Sequence, residues 1–238
     1  MPKPAIIHFD PKAKMEVIPG SYAEHVHSWL DDKAHGLSAG IWDAAANNSG
    51  WIEYPVDEFM IVLEGEIVVV EESGPVSIKA GESFIMPKGI RCKWTVPNYA
   101  KKFFVIYENN DGPANKGPLK VTKLDTGIKL DPSEPPPPSM LHSPVPSQHT
   151  HEYFKDATGQ LTVGVWDTTG YTRKLIDFPR HELMHLLEGS VTFTDEKGGT
   201  QTFRAGDTFF VPLGTPNSWK SEGYLRKIYC IFQPKNAA

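Results

Sequence analysis

Cysteine is scarce in this chain of 238 residues, which contains only Cys92 and Cys230. Two thiols cannot build a disulfide framework or a zinc site made of several cysteines. No stretch approaches the roughly 18 consecutive apolar residues that a membrane span needs. The first residues also lack the basic start and apolar run of a secretion signal. We therefore predict a cytoplasmic protein with no membrane partner.

An excess of positive charge is missing as well. The chain has 24 Lys and Arg residues against 29 Asp and Glu residues, for a formal net charge of −5. Such a mildly acidic balance argues against a nucleic-acid partner, because nucleic acids are bound through clustered basic side chains. Hydrophobic residues make up 39% of the chain, which is enough to bury a proper core. A folded protein with a small-molecule partner is expected.

The sequence also lacks helical periodicity. No long segment repeats its apolar residues every 3.6 positions between helix caps. Short apolar runs rich in Val, Ile, Phe and Thr instead recur between Gly, Pro, Asn and Asp, at 60–70, 83–87, 102–107, 184–194, 208–212 and 225–232. Regular short strands with such turns are typical of a sandwich or barrel. The predicted fold class is all-β.

An internal repeat organises the chain. Residues 40–65 align without a gap on 164–189, with ten identities that include Trp42, Asp43, Glu58 and Met60. After a one-residue insertion, "GESFIMPKGIRCKW" (81–94) aligns on "GDTFFVPLGTPNSW" (206–219), and "KFFVIY" (102–107) on "KIYCIF" (227–232). Two homologous halves follow. We place the N-terminal domain at 1–110, a first strand and Pro-rich linker at 111–146, and the C-terminal domain at 147–238.

The segment "HELMH" (181–185) spells H-E-x-x-H, the pattern of a zinc protease helix. Its aligned copy is "DEFMI" (57–61), and both copies run through Leu-Glu-Gly into β-rich residues. On a strand, four residues span roughly 13 Å, so His181 and His185 cannot share one ion. We expect a strand here, with both histidines on its outer face.

Two motifs in each half resemble the signatures of the cupin superfamily. They are Glu58–Gly65 followed by Gly81–Gly89, and Glu182–Gly189 followed by Gly206–Gly214. The Trp-Asp that precedes the first motif and the Trp that ends the other are similar to those of ureidoglycine aminohydrolase-type cupins. The resemblance implies a bicupin, with two tandem double-stranded β-helix (cupin jelly-roll) barrels.

The resemblance also implies where a metal would lie, at two His and one Glu of the first motif and a His of the second. The Glu position falls on Glu58 and Glu182, but no histidine occupies the other positions. We therefore predict no resident metal or other cofactor. If a divalent metal were bound, its ligands would be Glu182, Asn217 and Asp177 in the second half, or Glu58, Cys92 and Glu53 in the first.

The leading functional prediction is an uncharacterised bicupin that holds a small polar or carboxylate metabolite in one or both barrels. Glu58 and Glu182 would be its polar anchors, and they would be the catalytic residues if one of them served as a base of raised pKa. The predicted pocket residues are Tyr54, Met60, Cys92, Trp94, Phe178, Met184, Asn217 and Trp219.

Two alternatives stay open at this stage. One is a metal-dependent hydrolase or isomerase of the ureidoglycine aminohydrolase type, and the other is a non-catalytic structural or binding protein with filled barrels. The paired motifs His25-x-His27 and His149-x-His151 are interpreted as a rim or interface feature, with a metal or anion site as the competing interpretation. A second copy of the chain, as a homodimer, is a further candidate partner.

Overall fold

The computed structural model describes residues 3–21, 23–110 and 112–235. Every element within these ranges is a β-strand except one 3₁₀ turn at Pro138–Met140. The all-β prediction is therefore confirmed. The described part of the chain contains no helix with the length and apolar character to cross a membrane.

Nineteen strands are present in the described residues. In chain order the first nine are β1 (Ile7–His8), β2 (Glu16–Val17), β3 (Glu24–Asp32), β4 (Leu37–Glu53), β5 (Asp57–Glu71), β6 (Gly74–Lys79), β7 (Ser83–Met86), β8 (Arg91–Tyr107) and β9 (Thr122–Lys123). The other ten are β10 (Asp131–Ser133), β11 (Gln148–Lys155), β12 (Leu161–Thr168), β13 (Tyr171–Asp177), β14 (His181–Glu188), β15 (Ser190–Thr194), β16 (Thr200–Arg204), β17 (Thr208–Val211), β18 (Pro216–Ser221) and β19 (Leu225–Phe232).

The first unit consists of residues 9–124 together with 156–159. Its sheet has the order β2-β3-β4-β8-β5-β7-β9, with β6 paired to β5. The long strands β4, β5 and β8 are interrupted by register shifts, for example between Ala45 and Asn47 and between Gly65 and Val68. Such bulges bend and twist a strand, which allows one strand to serve both walls of a small barrel.

The second unit consists of residues 3–8, 125–155 and 160–235. It has a seven-stranded sheet, β1-β17-β14-β19-β12-β11-β10, and a four-stranded sheet, β13-β18-β15-β16. Each long strand of the first unit corresponds here to two shorter ones: β12 and β13 to β4, β14 and β15 to β5, and β18 and β19 to β8. Both units are jelly-roll barrels, as the internal repeat predicts.

Short segments cross the domain boundaries that the sequence suggests. Strand β1 pairs with β17 of the second unit, and β9 pairs with β7 of the first. The proline-rich stretch packs within the second unit, where β10 pairs with β11 and Leu141 bridges to Arg173. Which strands pair depends on the complementarity of their edges and buried faces, and not on how near they are in the chain. A sequence pattern alone does not reveal such pairings.

The segment with the H-E-x-x-H pattern lies in β14, so the prediction of a strand is confirmed. Alternate residues of this strand face opposite sides, as in its counterpart β5. Glu58, Met60 and Val62 share the inner face of β5, and all three are buried. The inner face of this strand therefore carries one acidic side chain in each barrel, Glu58 or Glu182, beside apolar core residues.

Candidate functional site

A buried lysine meets the acid in each barrel. In the first unit Lys102 on β8 pairs with Val62 on β5. Its Nζ donates to Glu58 Oε1 at 2.5 Å. In the second unit Lys227 Nζ donates to Glu182 Oε1 at 2.6 Å. The four side chains of the two pairs are all at most 7% exposed. Burying two opposite charges costs solvation free energy, which only close pairing offsets.

Two tryptophans and a methionine enclose each lysine. Lys102 Nζ lies 5.0 Å from the ring centre of Trp42, 4.8 Å from that of Trp94 and 3.0 Å from Met60 Sδ. Ammonium groups are attracted to the faces of aromatic rings, most strongly to tryptophan. We call Trp42, Glu58, Met60, Trp94 and Lys102 the first cage.

The second cage consists of the aligned residues Trp166, Glu182, Met184, Trp219 and Lys227. Lys227 Nζ lies 4.7 Å from the ring centre of Trp166, 5.4 Å from that of Trp219 and 3.3 Å from Met184 Sδ. All five residue types are the same in both cages. The repeat therefore preserves a complete five-residue arrangement.

The first cage is closed by aromatic side chains. The Tyr54 hydroxyl donates to Glu58 Oε2, so both oxygens of this acid have partners. The Tyr54 and Phe84 rings stack on Trp94 at 6.4 and 6.5 Å. Burial, followed by the charge of Glu58, raises the pKa of Tyr54 well above its ordinary value. Both oxygens of Glu58 and the ammonium of Lys102 thus have partners within the buried first cage.

The second cage opens onto a cavity of about 490 Å³. Phe178 aligns with Tyr54 and carries no hydroxyl. Arg180, where the first half has Val56, donates instead from Nε to Glu182 Oε2 at 3.0 Å. The cavity is also lined by the predicted residues Phe178, Met184 and Trp219, and by Gln148, Thr150 and Pro135–Pro137.

Arg173 adds a further cation to this cavity. It stands where the first half has Ser49, and its Nη2 donates to the backbone O of Asn217 at 3.3 Å and to its Oδ1 at 2.6 Å. The residue is only 6% exposed, and its buried Nη1 has no hydrogen-bond partner. Asn217 thus holds Arg173 in place by hydrogen bonds. Asn217 does not itself line this cavity, although it was predicted as a pocket residue.

Positive charge is in excess around the second cage. Lys227, Arg173 and Arg180 face one buried acid, Glu182, while Glu134 is exposed at the cavity rim. Burial lowers the pKa of Lys227, and repulsion by Arg180 and Arg173 lowers it further. The attraction of Glu182 acts in the opposite direction but does not restore the ordinary value. Burial alone would raise the pKa of Glu182, but Lys227 and Arg180 together hold it below its ordinary value. This lowered pKa runs against the predicted role of Glu182 as a base of raised pKa.

The residues present do not fit a metal at either predicted position. Asp177 is 61% exposed and pairs with Lys3 at 3.0 Å, and Glu53 is exposed, so neither acid turns inward. The oxygens of Glu182 point at an ammonium and a guanidinium, which would repel a cation. Among the described residues no group of three or more His, Cys, Asp or Glu side chains is arranged to hold a metal ion.

The first histidine of each pair contacts an acid, and the second packs edge-on against an aromatic ring, Trp29 for His27 and Tyr153 for His151. His25 Nδ1 lies 2.7 Å from Asp43 Oδ1, and His149 Nδ1 lies 2.8 Å from Asp167 Oδ1. In the sequence, Asp43 and Asp167 each follow a cage tryptophan, so on their strands they face away from the cage. The histidine pairs therefore belong to the opposite face of the sheet in both units.

Both thiols are buried, and burial raises the pKa of Cys92 and of Cys230. The thiolate is the reactive form, so we expect neither cysteine to react with a thiol reagent such as dithiobis-nitrobenzoate in the native protein. Two thiols should be labelled after denaturation. Fast labelling of Cys92 before unfolding would contradict this assignment.

Comparisons with known proteins agree with the two barrels. The family model described as EutQ-like cupin domain matches residues 32–104 and again 155–229, which together make up more than half of the chain. A comparison with the curated proteins found no match.

Solved structures add a broader likeness. A protein of unknown function from Pseudomonas syringae pv. tomato is 28% identical, with a TM-score of 0.82 over 96% of this chain and 100% of that one. A putative glyoxylate-induced protein from Pseudomonas aeruginosa shares the fold, with 14% identity and a TM-score of 0.57 over 91% and 83% of the two chains. So does an oxalate decarboxylase from Lactobacillus farciminis, at 12% identity and a TM-score of 0.50 over 98% and 87%. With one family model matching both barrels, the chain belongs to the cupin superfamily, as a protein with two EutQ-like cupin domains.

Proposed function

We propose that the second barrel binds a small carboxylate metabolite, and that the first barrel is a structural copy. The observation that carries the proposal is Arg173, whose buried Nη1 has no hydrogen-bond partner beside a cavity of about 490 Å³. A buried donor without a partner is costly, and a charged one more so. A ligand oxygen would remove that cost.

The sign of the ligand follows from the charges around the cavity. Three cations line it with two acids, of which Glu134 is exposed at the rim, so an anion would be attracted. It would also offset the repulsion by Arg180 and Arg173, which adds to burial in lowering the pKa of Lys227. A guanidinium matches the two oxygens of a carboxylate in geometry. Trp166, Trp219 and Phe178 supply apolar walls for the rest of a small molecule.

Binding is proposed in preference to acid–base catalysis. Both oxygens of Glu182 accept hydrogen bonds from cations, and these cations hold its pKa below the ordinary value. An acid of lowered pKa is a weak base at neutral pH. The resemblance to ureidoglycine aminohydrolases adds one ligand class to the proposal, namely carboxylates that also carry an amide or ureido group.

A ligand panel tests the proposal. Thermal shift and tryptophan fluorescence would be measured with mono- and dicarboxylates, ureido carboxylates and their neutral amides. At least one carboxylate should raise the melting temperature and change the emission of the cage tryptophans. Equal responses to a carboxylate and its neutral amide would refute an anion site.

The variant Arg173→Gln should weaken binding of the best ligand roughly 10- to 100-fold, which corresponds to the loss of one charged hydrogen bond. Lys174→Gln is the matched control, because Lys174 is the next residue on β13 and is exposed, donating to the backbone O of Ser139. Its affinity should equal that of the unmodified protein in calorimetric titration. If Arg173→Gln binds as tightly as the control, the proposed site is wrong.

A further inference from the structure

Two further buried polar atoms without partners belong to the cavity of the second cage. Gln148 is 7% exposed, and its buried Nε2 has no hydrogen-bond partner of normal geometry among the described residues. The same holds for the buried Oγ of Ser133. With Arg173 Nη1 they are three of the six such side-chain atoms in the described residues, and all three residues line this one cavity. Buried polar groups normally have partners, so three such atoms in one cavity indicate a ligand.

The strand ladder places Ser133 and Gln148 side by side. Ser133 on β10 pairs with Gln148 on β11. The side chains of directly paired residues point to the same face of a sheet, with their Cβ atoms roughly 4.5–5.5 Å apart. Thr150, two residues further along β11, also lines the cavity, as strand alternation requires. The hydroxyl of Ser133 and the amide of Gln148, which we call the neutral pair, therefore face one region of the cavity.

Tyr171 connects this region to Arg173. The two residues are two positions apart on β13, before the register shift of that strand, so they share a face, and both line the cavity. Burial raises the pKa of Tyr171, while the charge of Arg173 and the amide of Gln148 both act to lower it. Gln148 and Arg173 thus both lie near the Tyr171 hydroxyl. A small molecule in a cavity of about 490 Å³ has room to contact both.

The two regions of the cavity differ in charge. Arg173 would be engaged by the ligand carboxylate, and the other two cations of the lining already pair with Glu182. The neutral pair carries no charge, and Glu134 follows it in the chain at the exposed rim. A second carboxylate there would find no free cation among the described lining residues, which is unfavourable for a buried charge. A neutral group is therefore favoured in this region.

The first half uses the aligned position differently. Gln148 aligns with Glu24, whose Oε2 accepts from Trp42 Nε1 at 3.2 Å. Trp42 belongs to the first cage, so this side chain is bound within its own barrel. The internal repeat therefore does not account for the unbonded amide of Gln148. Like Arg173, it is a feature of the second unit alone, which is the unit with the ligand cavity.

We propose that the neutral pair is a second subsite of the cavity, which determines specificity by binding a neutral oxygen at the end of the ligand remote from its carboxylate. This inference rests on the proposed function, because it assigns Arg173 to the carboxylate. The oxygen of a hydroxyl or a carboxamide can accept from Gln148 Nε2, and either group can also donate to Ser133 Oγ. One neutral group thus gives both atoms a partner. A carboxylate offers no donor, and a methyl group offers neither donor nor acceptor.

Calorimetric titration of the full chain compares acids of one chain length that differ only at the far end. Glutaramate carries a carboxamide there, 5-hydroxypentanoate a hydroxyl, glutarate a second carboxylate and pentanoate a methyl group; the corresponding acids with one carbon fewer form a second series. In one series at least, the carboxamide or the hydroxyl acid should bind about 10-fold or more tightly than both the dicarboxylate and the methyl-terminated acid. Which of the two binds better identifies the neutral group.

The outcomes separate the two proposals. If pentanoate or glutarate binds as tightly as the carboxamide and hydroxyl acids in both series, the second subsite is wrong, while the carboxylate site at Arg173 stands. If none of the acids binds, the proposed function fails and this inference fails with it.

Two variants locate the subsite. Gln148→Met has a similar volume but no donor, so the affinity for the preferred neutral ligand should fall to that for the methyl-terminated acid, whose own affinity should not change. Gln233→Met makes the same substitution at an exposed position after β19 and should keep the preference. Ser133→Ala is a smaller change, so it should reduce the preference even if Gln148→Met folds poorly. A preference that is unchanged in both Gln148→Met and Ser133→Ala would overturn the assignment.

Discussion

Replacing Lys102 by methionine should lower the free energy of unfolding by about 3 to 5 kcal/mol, the cost of leaving a buried charge without its partner. Glu58 would keep only the neutral hydroxyl of Tyr54. Methionine fills nearly the same volume, so the loss reports charge rather than packing. Urea denaturation at neutral pH measures the change.

The double variant Glu58→Gln/Lys102→Met is the control for this experiment. It removes both charges, so it should recover most of the lost stability, and a double-mutant cycle would give the coupling between the two side chains. If the double variant is as unstable as the sum of the single variants, the pair does not act as a unit.

The equivalent change in the second unit should cost less. After Lys227→Met, Glu182 still accepts from Arg180 Nε at 3.0 Å, so its charge is not left alone. In the unmodified protein Glu182 has a lowered pKa, so its contribution to stability is present above its ordinary pKa and is lost as the pH falls through the lowered one. Lys227→Met should weaken this acid dependence. A larger loss than in Lys102→Met would contradict the role given to Arg180.

Replacing Gly65 by alanine should destabilise the protein by more than about 4 kcal/mol, which is exceptional for one added methyl group. Gly65 has φ of +72°, and a Cβ there would lie 1.8 Å from the backbone O of Tyr99. Neither atom can rotate away, so the ladder between β5 and β8 must shift. Thermal denaturation and the yield of folded protein measure the effect.

Gly50→Ala is the matched control, because Gly50 has φ of +70° and nothing lies within 4 Å of its added Cβ. It should cost only about 1 kcal/mol, the strain of a left-handed alanine. The same contrast is expected between Gly189, whose Cβ would lie 2.2 Å from the backbone O of Tyr224, and Gly198, which is open. Similar losses of stability in Gly50→Ala and Gly65→Ala would show that backbone strain, and not the contact with Tyr99, causes the destabilisation.

The fold could be predicted because its signals are local or repeated. Short β-branched runs between glycine-bearing turns indicated strands, and the alignment of "HELMH" on "DEFMI" excluded a helix at 181–185. Strand alternation also placed Glu58 and Glu182 in the interior, where the structure has them. These inferences need no knowledge of which strands are neighbours.

The chemistry of the site could be predicted only in part. Lys102 and Lys227 were visible as identical residues at the head of two aligned apolar strands, but lysines are usually solvated, and only the ladder register shows that they reach the acids. Arg173 and Arg180 left no such signal, since the first half has Ser49 and Val56 in their places. The two additional cations of the second barrel therefore could not be predicted from the first.

The pairing of strand β1 with β17 bears on how the chain folds. Ile7 and His8 pair with Phe210 and Phe209. Contacts between residues so distant in the chain form slowly, because a long loop must close first. The outer edge of β17 should therefore gain its partner late in folding, after the hairpins of the second unit have formed.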